Sequence, residues 1–354
     1  MKELLTLLCD RLEKDRPVAL ATVIAHQGST PRGAGSRLLA DQGGLVTGTV
    51  GGGVSEGQTL EACCAALQDG KARILDFTLT GELAAQSDMI CGGRLRVLVE
   101  PLFPSGEHLR LFQAVLDAVC RDGAVFITDI TDITDITGAS RPLRTAWIDN
   151  ACIGAPLSEA ILAKLSSAPL SAREASIVLH ENRSYLIEPC LPPLRMIIAG
   201  GGHVARPTAQ VAALAGFEVT VLDDRPEYAH PERFPWAAHT ATVPGYLNCF
   251  AGCSPNSRTY IVIVTRGHLH DATVLSQALA TQAGYIGMIG SKRKRAELYA
   301  ALRVQGVSEE ALAGVHCPVG LAIGAETPEE IAVSIVAECI AHWRKACPPE
   351  NMPR

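Results

Sequence analysis

The sequence is poor in aromatic and charged residues, and it contains no long run of basic residues. Aromatic residues make up 5% of the 354 residues and charged residues 19%, with a formal net charge of −6. A weakly acidic chain of this kind gives no electrostatic reason to expect binding to nucleic acid or to an anionic membrane. The hydrophobic fraction of 47% and the 32 glycines instead favour an α/β protein with sizeable cores and glycine-rich turns.

The sequence also lacks an apolar stretch that would cross a membrane, which needs about 20 residues. The longest candidate, residues 196–217, contains Arg206, Pro207 and three consecutive glycines. The first ten residues are not typical of a signal peptide, because Glu3 and Asp10 interrupt a short apolar run and no cleavage-site pattern follows. We therefore expect no membrane association and a cytoplasmic location.

The twelve cysteines are scattered, and no CxxC pair is present. Structural zinc sites are typically built from such pairs, so the sequence predicts none. In the cytosol, most of these thiols should be reduced and buried as small apolar groups.

The length predicts two domains, at about 150 residues for each. The proline-rich segment 188–193 is unsuited to a helix or a central strand, and it predicts the linker between the domains. We therefore expect a glycine-rich α/β domain over residues 1–190 and a second α/β domain over residues 195–345.

A repeat of Ile-Thr-Asp occupies residues 127–137 of the first domain. A period of three fits neither a helix nor a strand. We interpret the repeat as a local expansion in a surface hairpin between strands at 124–128 and 145–149. The alternative is a cation site built from the repeated threonines and aspartates.

The second domain has the pattern of a dinucleotide-binding βαβ unit. A short apolar strand at 195–199 precedes GGGHVA at 200–205, which opens a helix. The next strand ends at Asp223, 21 residues after Gly202, and the ribose-binding acid of this pattern stands about 20 residues on. The pattern predicts a Rossmann-like, doubly wound parallel sheet. It leaves open whether the ligand is a dinucleotide or another phosphate compound.

Polar residues follow two later strands of the second domain. Arg266, His268, His270 and Asp271 come after a strand at 259–265, and they either form a metal site or surround a helix start capped by Asp271.

The basic run at 292–295 comes after Gly290 and Ser291. It is either an anion clamp at a helix N-terminus or a solvated helix start. His203, directly after the glycines of the βαβ turn, either contacts the ligand or caps that turn.

In the first domain, Cys91 lies beside Gly92 and Gly93. Bare backbone there would expose the sulfur, and a reactive thiolate would need a lowered pKa, for which Arg94 is the nearest cation in the sequence. Spacing alone favours an inert, buried cysteine.

Several motifs together resemble the XdhC/CoxI family, in that family's order over nearly the whole chain. In the first domain they are GSTPR at 28–32, GTVGGG at 48–53 and MICGG at 89–93. In the second domain they are GGGHV at 200–204, DRPE at 224–227, RFP at 233–235, YIGMIGSK at 285–292, PVGL at 318–321 and TPEEIA at 327–332. The chain departs from the family after the strand at 259–265, where many members have a histidine directly after a threonine and this chain has Arg266 after Thr265.

Members of this family are accessory proteins of xanthine dehydrogenase and related molybdenum hydroxylases. The resemblance implies that the chain binds the molybdenum cofactor, as molybdopterin or its dinucleotide form. It implies that the chain protects the cofactor while its terminal sulfur is installed and helps to insert it into an apo molybdenum hydroxylase. We further expect a homodimer without turnover of its own, and a cysteine desulfurase as a second partner. The alternative is an NAD(P)-dependent oxidoreductase or a nucleotide-binding regulator that uses the Rossmann domain.

The resemblance also implies the residues of the site. Cys91 would provide a soft sulfur contact to molybdenum or to its exchangeable sulfide. Asp224 belongs to the family's DRP run and is favoured over Asp223, which the spacing favours. The expected cofactor-binding residues are Cys91, Gly51, Gly52, Gly53, Glu56, Gly200, Gly202, His203, Asp224, Arg225, Thr265, His268, Gly290, Ser291 and Lys292.

Overall fold

The computed structural model describes residues 1–79, 93–133, 142–158, 161–162 and 174–345. These residues form two compact units, of which the first ends at Pro192 and the second begins at Pro193. Both units combine helices and strands, so the predicted α/β class is confirmed. Within the described ranges, no helix is both long and apolar enough to cross a membrane.

The first half of the first unit is an antiparallel sheet in the order β3-β2-β1-β5-β4, accompanied by two helices. Its central strand is almost wholly buried because the run VALATVI supplies apolar or small residues to both faces. The elements are α1 (Lys2–Glu13), β1 (Val18–Gln27), β2 (Arg37–Asp41), β3 (Gly44–Gly48), α2 (Gly53–Asp69), β4 (Arg73–Thr78) and β5 (Arg94–Leu102). Helix α2 is capped by Gly70, which adopts the left-handed conformation with φ +74°.

The second half of the first unit repeats this arrangement strand for strand, in the order β8-β7-β6-β10-β9. Its elements are α3 (Gly106–Val119), β6 (Ala124–Asp129), β7 (Arg144–Ile148), β8 (Ala151–Gly154), β9 (Ser176–His180) and β10 (Arg183–Cys190). A helix precedes the first strand in both halves, and α1 and α3 share one core through Leu8, Phe112 and Val115. The first unit is therefore built from two copies of one sheet topology.

Two buried arginine–glutamate pairs join the halves reciprocally. Arg37, the first residue of β2, donates to Glu188 of β10 with an Nη2–Oε1 distance of 2.8 Å, and Arg144, the first residue of β7, pairs with Glu100 of β5. All four side chains are at most 6% exposed. Because β2 corresponds to β7 and β5 to β10, each half contributes one arginine and one glutamate from equivalent positions.

Residues 188–190 lie inside a strand, which corrects the expected linker at 188–193. Pro189 belongs to β10 and pairs with Val125 of β6. The proline is tolerated because β9 pairs with β10 only as far as Ile187, so Pro189 has a neighbouring strand on one side only. Pro101 occupies the equivalent place near the end of β5.

The Ile-Thr-Asp repeat is more buried than predicted for a surface hairpin. Strands flank it close to the expected places, but Ile127, Ile130 and Ile133 are 0, 5 and 7% exposed. Asp129 is held by an ion pair with Arg183 rather than left open to a cation. The rest of the repeat, from residue 134, lies outside the described residues.

The second unit contains a six-stranded, wholly parallel sheet in the order β13-β12-β11-β14-β15-β16. The strands are β11 (Arg195–Ala199), β12 (Glu218–Asp223), β13 (His239–Thr242), β14 (Thr259–Ile263), β15 (Tyr285–Met288) and β16 (Val315–His316). The helices are α4 (Ala205–Leu214), α5 (His268–Leu279), α6 (Lys292–Val304), α7 (Glu309–Ala313) and α8 (Pro328–Lys345). Separate cores lie on the two faces of the sheet, with α4 and α8 on one and α5 and α6 on the other. The predicted Rossmann-like fold is confirmed.

Candidate functional site

The carboxyl ends of four neighbouring strands lie side by side along one edge of the parallel sheet. This edge, the crest, comprises residues 200–203, 223–225, 264–267 and 289–291, which follow β11, β12, β14 and β15. Ligands of doubly wound sheets bind outside this edge where the strand order reverses, here between β11 and β14.

The three consecutive glycines of the crest differ in what a side chain would meet. A Cβ at Gly200, whose φ is +113°, would lie 2.5 Å from the carbonyl oxygen of Val264, and one at Gly201 would lie 2.3 Å from that of Tyr228. These two glycines are required by the fold. At Gly202, no other group of the described residues would lie within 4 Å of a Cβ, and φ is outside the left-handed region. The fold itself would therefore accept a side chain at Gly202.

Asp223 fixes the glycine turn. Its carboxylate accepts hydrogen bonds from the Gly201 amide at 2.6 Å and from Nε and Nη2 of Arg225 at 2.9 and 3.1 Å. Burial opposes ionisation, but these hydrogen bonds hold the pKa of Asp223 below its ordinary value. The side chain is 1% exposed with both oxygens bound. The structure therefore does not present Asp223 to a ribose, contrary to the expectation from spacing.

Arg225 and Arg233 enclose the ring of Tyr228 beside this turn. Their guanidinium carbons lie 3.4 and 4.7 Å from the centre of the ring. Nη2 of Arg233 donates to the carbonyl of Gly201 at 3.3 Å, whereas its Nε has no hydrogen-bond partner among the described residues. The hydrogen bond to Asp223 raises the pKa of Arg225. The arrangement keeps two cations in fixed positions next to the glycines.

Asp224 retains an acceptor atom, unlike Asp223. Its Oδ2 lies 3.4 Å from Nη2 of Arg266 and 3.8 Å from Nε2 of His270. Its Oδ1 is buried and lies 3.6 Å from Nε of Arg225, in an ion pair, but it accepts no hydrogen bond within the described part of the chain. Burial raises the pKa of the nearby Tyr246, so this hydroxyl stays protonated. The contact between Asp224 and the ligand that the resemblance implies stays a prediction.

The residues after β14 form a buried polar cluster. Asp271 is fully buried and accepts a hydrogen bond from the Thr265 hydroxyl at 2.5 Å, while its second oxygen forms an ion pair with the Lys294 ammonium. Helix α5 begins at His268 with Gly267 as its cap, so Asp271 is not the N-cap that the sequence suggested. Across the described residues, no three histidine, cysteine, aspartate or glutamate side chains are grouped to hold a metal ion.

The segment after β15 places Gly290 and Ser291 at the start of α6. The Ser291 hydroxyl caps this helix by accepting from the Lys294 amide at 3.2 Å, and the Lys292 side chain is exposed. A Cβ at Gly290 would lie 3.3 Å from Cδ of Lys294 and 3.6 Å from the sulfur of Cys317. Burial raises the pKa of the Cys317 thiol, so it remains protonated at neutral pH.

In the first unit, the glycine turn at 51–53 and Gly93 both lie against the first family motif. Gly51, Gly52 and Gly53 have φ values of +145, +81 and +59°, which favour glycine. A Cβ at Gly51 would lie 2.7 Å from Cγ of Pro31 in the first motif. Likewise, a Cβ at Gly93, which ends the third motif, would lie 2.4 Å from the carbonyl oxygen of Ser29 in the first.

Glu56 holds this turn from the start of α2. Its Oε2 accepts hydrogen bonds from the Thr49 hydroxyl and from the Gly52 amide, the latter at 3.2 Å. The Gly51 amide in turn donates to the Thr49 hydroxyl oxygen at 3.0 Å. Glu56 therefore stabilises the turn, and its expected contact with the cofactor stays a prediction.

Three expected site residues have a less defined place. His203 is exposed on the crest directly after the glycines. Cys91 and the side chain of His268 lie outside the described residues. Their roles stay predictions.

Comparisons with known proteins agree with this architecture. Residues 196–339 match the XdhC Rossmann domain, and residues 11–78 match the XdhC and CoxI family. A Bacillus subtilis protein whose name describes it as a probable subunit of xanthine dehydrogenase is 28% identical over 95% of this chain and 96% of its own length. The Escherichia coli K12 uncharacterized protein YqeB is 25% identical over 93% of this chain, which spans only 44% of YqeB. A crystal structure of a xanthine dehydrogenase from Bacillus halodurans shares the fold, with a TM-score of 0.79 and 24% identity over 98% of each chain.

The fold and the crest define a two-unit α/β protein whose second unit is a Rossmann domain. The two family matches lie in the expected order and together cover more than half of the chain. The chain belongs to the XdhC and CoxI family, which confirms the resemblance found in the sequence.

Sequence reasoning missed the inward position of Lys294. The resemblance drew attention to Lys292, which is exposed. A usable signal was present, because Lys294, Leu298 and Leu302 recur at intervals of four residues and so share one helix face. Leu298 and Leu302 are both buried.

Proposed function

We propose that this chain binds the molybdenum cofactor at the crest as cargo and delivers it to a xanthine dehydrogenase-type hydroxylase. Membership of the XdhC and CoxI family supports the proposal. The name of the Bacillus subtilis relative, which matches almost its full length, supports the link to xanthine dehydrogenase. In this proposal the chain carries the cofactor and does not turn over a substrate.

The observation that carries the proposal is the open space at Gly202. Gly200 and Gly201 are glycines because the fold needs them, but no contact within the described residues explains the third. A bare position before a helix N-terminus lets a phosphate group approach backbone amides closely. The cofactor is a pterin with a phosphate, in some forms extended by a nucleotide, so its phosphate suits this turn.

The cations of the crest suit the same ligand. Arg225 and Arg233 are held beside the turn by Asp223, Tyr228 and Gly201, so little side-chain entropy is lost when an anion binds. A third cation, Arg266, is 60% exposed and pairs with Asp224 at 3.4 Å. Bound molybdenum cofactor supplies redox chemistry to the hydroxylase, and the residues of this chain bind it, orient it and limit its contact with water.

The test is a pair of matched glycine variants. Gly202→Val fills the open space, whereas Gly252→Val adds the same side chain at another exposed glycine of the second unit that meets nothing within 4 Å. We expect the Gly202→Val protein to retain at least about tenfold less cofactor than wild type, which corresponds to about 1.4 kcal/mol of binding free energy. Its thermal unfolding should equal that of wild type. Cofactor is measured as oxidised pterin fluorescence per mole of purified protein. Wild-type pterin content in Gly202→Val would overturn the proposal.

The alternative function, an NAD(P)-dependent oxidoreductase, would require an acidic residue of the crest to bind a ribose. Such an enzyme holds the adenosine ribose with the acid at the end of the second strand, but Asp223 is committed to Gly201 and Arg225. Titration of the wild-type chain with NADH and NADPH separates the two functions. Binding of either nucleotide that Gly202→Val weakens, without any bound pterin, would favour the alternative.

A further inference from the structure

The ion pair between Lys294 and Asp271 is unusually well buried for a pair next to a ligand crevice. Asp271 is completely buried, and the side chain of Lys294 is 18% exposed. Taking both charges out of water costs free energy that their attraction often does not recover. Apolar residues of similar size would serve packing as well, so the retained charges call for another explanation.

Lys294 has hydrogen-bonding capacity left over. An ammonium group carries three donors, and within the described residues its partner is one oxygen of Asp271. The other oxygen of Asp271 is taken by the Thr265 hydroxyl, which fixes the carboxylate and through it the lysine. Gly290 leaves the lysine stem uncovered, because a Cβ there would come within 3.3 Å of Cδ.

The position of Lys294 on the crest defines which part of a ligand it would meet. Lys294 lies in the first turn of α6, which begins directly after the turn that follows β15, and Gly202 lies in the turn after β11, with β14 between these two strands. Neighbouring strands lie about 4.8 Å apart, so the two turns are separated by about 10 Å. A ligand whose phosphate is at Gly202 would therefore reach Lys294 with its opposite end.

The charge at this end favours an anion. Lys292 and Arg295 flank Lys294 in the first turn of α6, whereas Asp271 is the acid in contact with it. The N-terminus of α6 adds the positive end of a helix dipole. Net positive charge and unused N–H donors together suit an oxyanion.

We propose that Lys294 binds an oxyanion at the end of the ligand opposite to the phosphate, with Asp271 and Thr265 as positioning residues. This inference rests on the proposed function, and it describes a ligand with anionic groups at both ends, one of them a phosphate and the other an oxyanion such as an oxometalate. The site would then distinguish such a ligand from a nucleotide that carries charge only on its phosphates.

The experiment compares variants of the full chain by two measurements: the pterin content of the purified protein and the dissociation constant for molybdate, titrated by calorimetry. Lys294→Met removes the ammonium. The double variant Lys294→Met with Asp271→Leu also removes the charge that would otherwise be left buried, so that loss of folding is not mistaken for loss of binding. Lys294→Arg keeps a cation, and Arg293→Met removes a charge that is 89% exposed in the same helical turn.

We expect Lys294→Met and the double variant to lower pterin content and molybdate affinity at least tenfold. Lys294→Arg should recover most of both, and Arg293→Met should equal wild type. Wild-type values of both quantities in the double variant would overturn the inference. If Gly202→Val loses pterin while the double variant keeps it, only the role of Lys294 fails; if wild-type protein holds no pterin at all, the proposed function fails.

Discussion

At the scale of single residues, the crest depends on an aspartate that works entirely within the protein. Asp223 links the glycine turn after β11 to Arg225, whose plane then lies against Tyr228. A rigid turn with fixed cations binds an anion with little loss of conformational entropy. In the proposed function, the carboxylate would thus support binding without touching the ligand.

Asp223→Asn should lower stability in a pH-dependent way. The pKa of Asp223 is held below its ordinary value in the folded protein, so its contribution is present above the unfolded-state pKa of about 3.9 and is lost as pH falls through the folded value. We expect the free energy of unfolding of the variant to be about 2 kcal/mol lower than that of wild type at pH 7. This difference should become smaller below pH 4, as measured by urea unfolding of both proteins. An equal difference at pH 7 and at pH 3.5 would show that the charge of Asp223 is irrelevant.

Cys91→Ser tests the thiol that the resemblance assigns to molybdenum. The change keeps the size of the side chain but removes its soft-ligand character. We expect normal folding, lower cofactor content and a cofactor-poor partner hydroxylase. Cys120→Ser, which changes an exposed thiol elsewhere in the first unit, is the matched control.

Thiol labelling shows whether the fold of the Cys91→Ser protein is intact. Burial raises the pKa of Cys63 and Cys339 to about 12, so both should stay unreactive at neutral pH in the folded protein. If Cys91→Ser keeps these thiols protected and binds as much cofactor as Cys120→Ser, the cysteine has no part in binding.

At the scale of secondary-structure elements, the first unit is two sheets of one topology held by exchanged charges. Arg37 reaches from the first half to Glu188, and Arg144 reaches from the second half to Glu100. Each arginine begins the strand next to the central one, and each glutamate precedes a proline. The equivalence predicts that the two pairs contribute to stability in the same way.

Replacing only the arginine of a buried ion pair should destabilise the protein more than replacing both partners. Arg37→Met removes both hydrogen bonds that Arg37 donates to Glu188, and it leaves this buried carboxylate only the longer ion pair with Arg144, at 3.6 Å. We expect the free energy of unfolding to fall by about 3–5 kcal/mol, whereas Arg37→Met with Glu188→Leu should be close to wild type. Arg144→Met, alone and with Glu100→Leu, should give the same pattern. The measurement is urea unfolding of all variants as double-mutant cycles, and purely additive losses in both cycles would contradict the account.

Much of the Rossmann unit could be predicted from the sequence because its signals are local. A strand, three glycines, a helix and Asp223 follow one another within about 30 residues, and the structure has all of them. The hydrogen bonds that occupy both oxygens of Asp223 could not be predicted, because they depend on the direction in which the side chain of Arg225 extends. The spacing rule records distance along the chain but not which partners a carboxylate already has.

The first unit was harder to predict because antiparallel sheets pair distant segments. Pro189 suggested a linker, but the end of β10 has a neighbour on one side only, so the proline is accommodated. Ile127, Ile130 and Ile133 of the Ile-Thr-Asp repeat are buried although the period of the repeat matches no regular element. The Glu-Pro dipeptides at 100–101 and 188–189, each after three apolar residues, were a signal of the repeated topology.

At the scale of the whole molecule, the chain combines a glycine turn on a duplicated sheet topology with a Rossmann crest. The first unit packs the glycine turn at 51–53 against the first family motif, and the second unit holds Arg225 and Arg233 beside the glycines of the crest. Family membership and the Bacillus subtilis relative named for xanthine dehydrogenase support a role in the maturation of such an enzyme. The expected homodimer and the partner hydroxylase are predictions of the same proposal.

Mass spectrometry of the ligand that co-purifies with the full chain tests the central claim most directly. The protein is produced in a host that makes molybdenum cofactor, purified without reducing the pterin, and denatured to release what is bound. We predict molybdopterin or its dinucleotide form, at a level that falls at least about tenfold in Gly202→Val. Recovery of NAD(P) in place of a pterin, or equal pterin in Gly202→Val and wild type, would contradict the account.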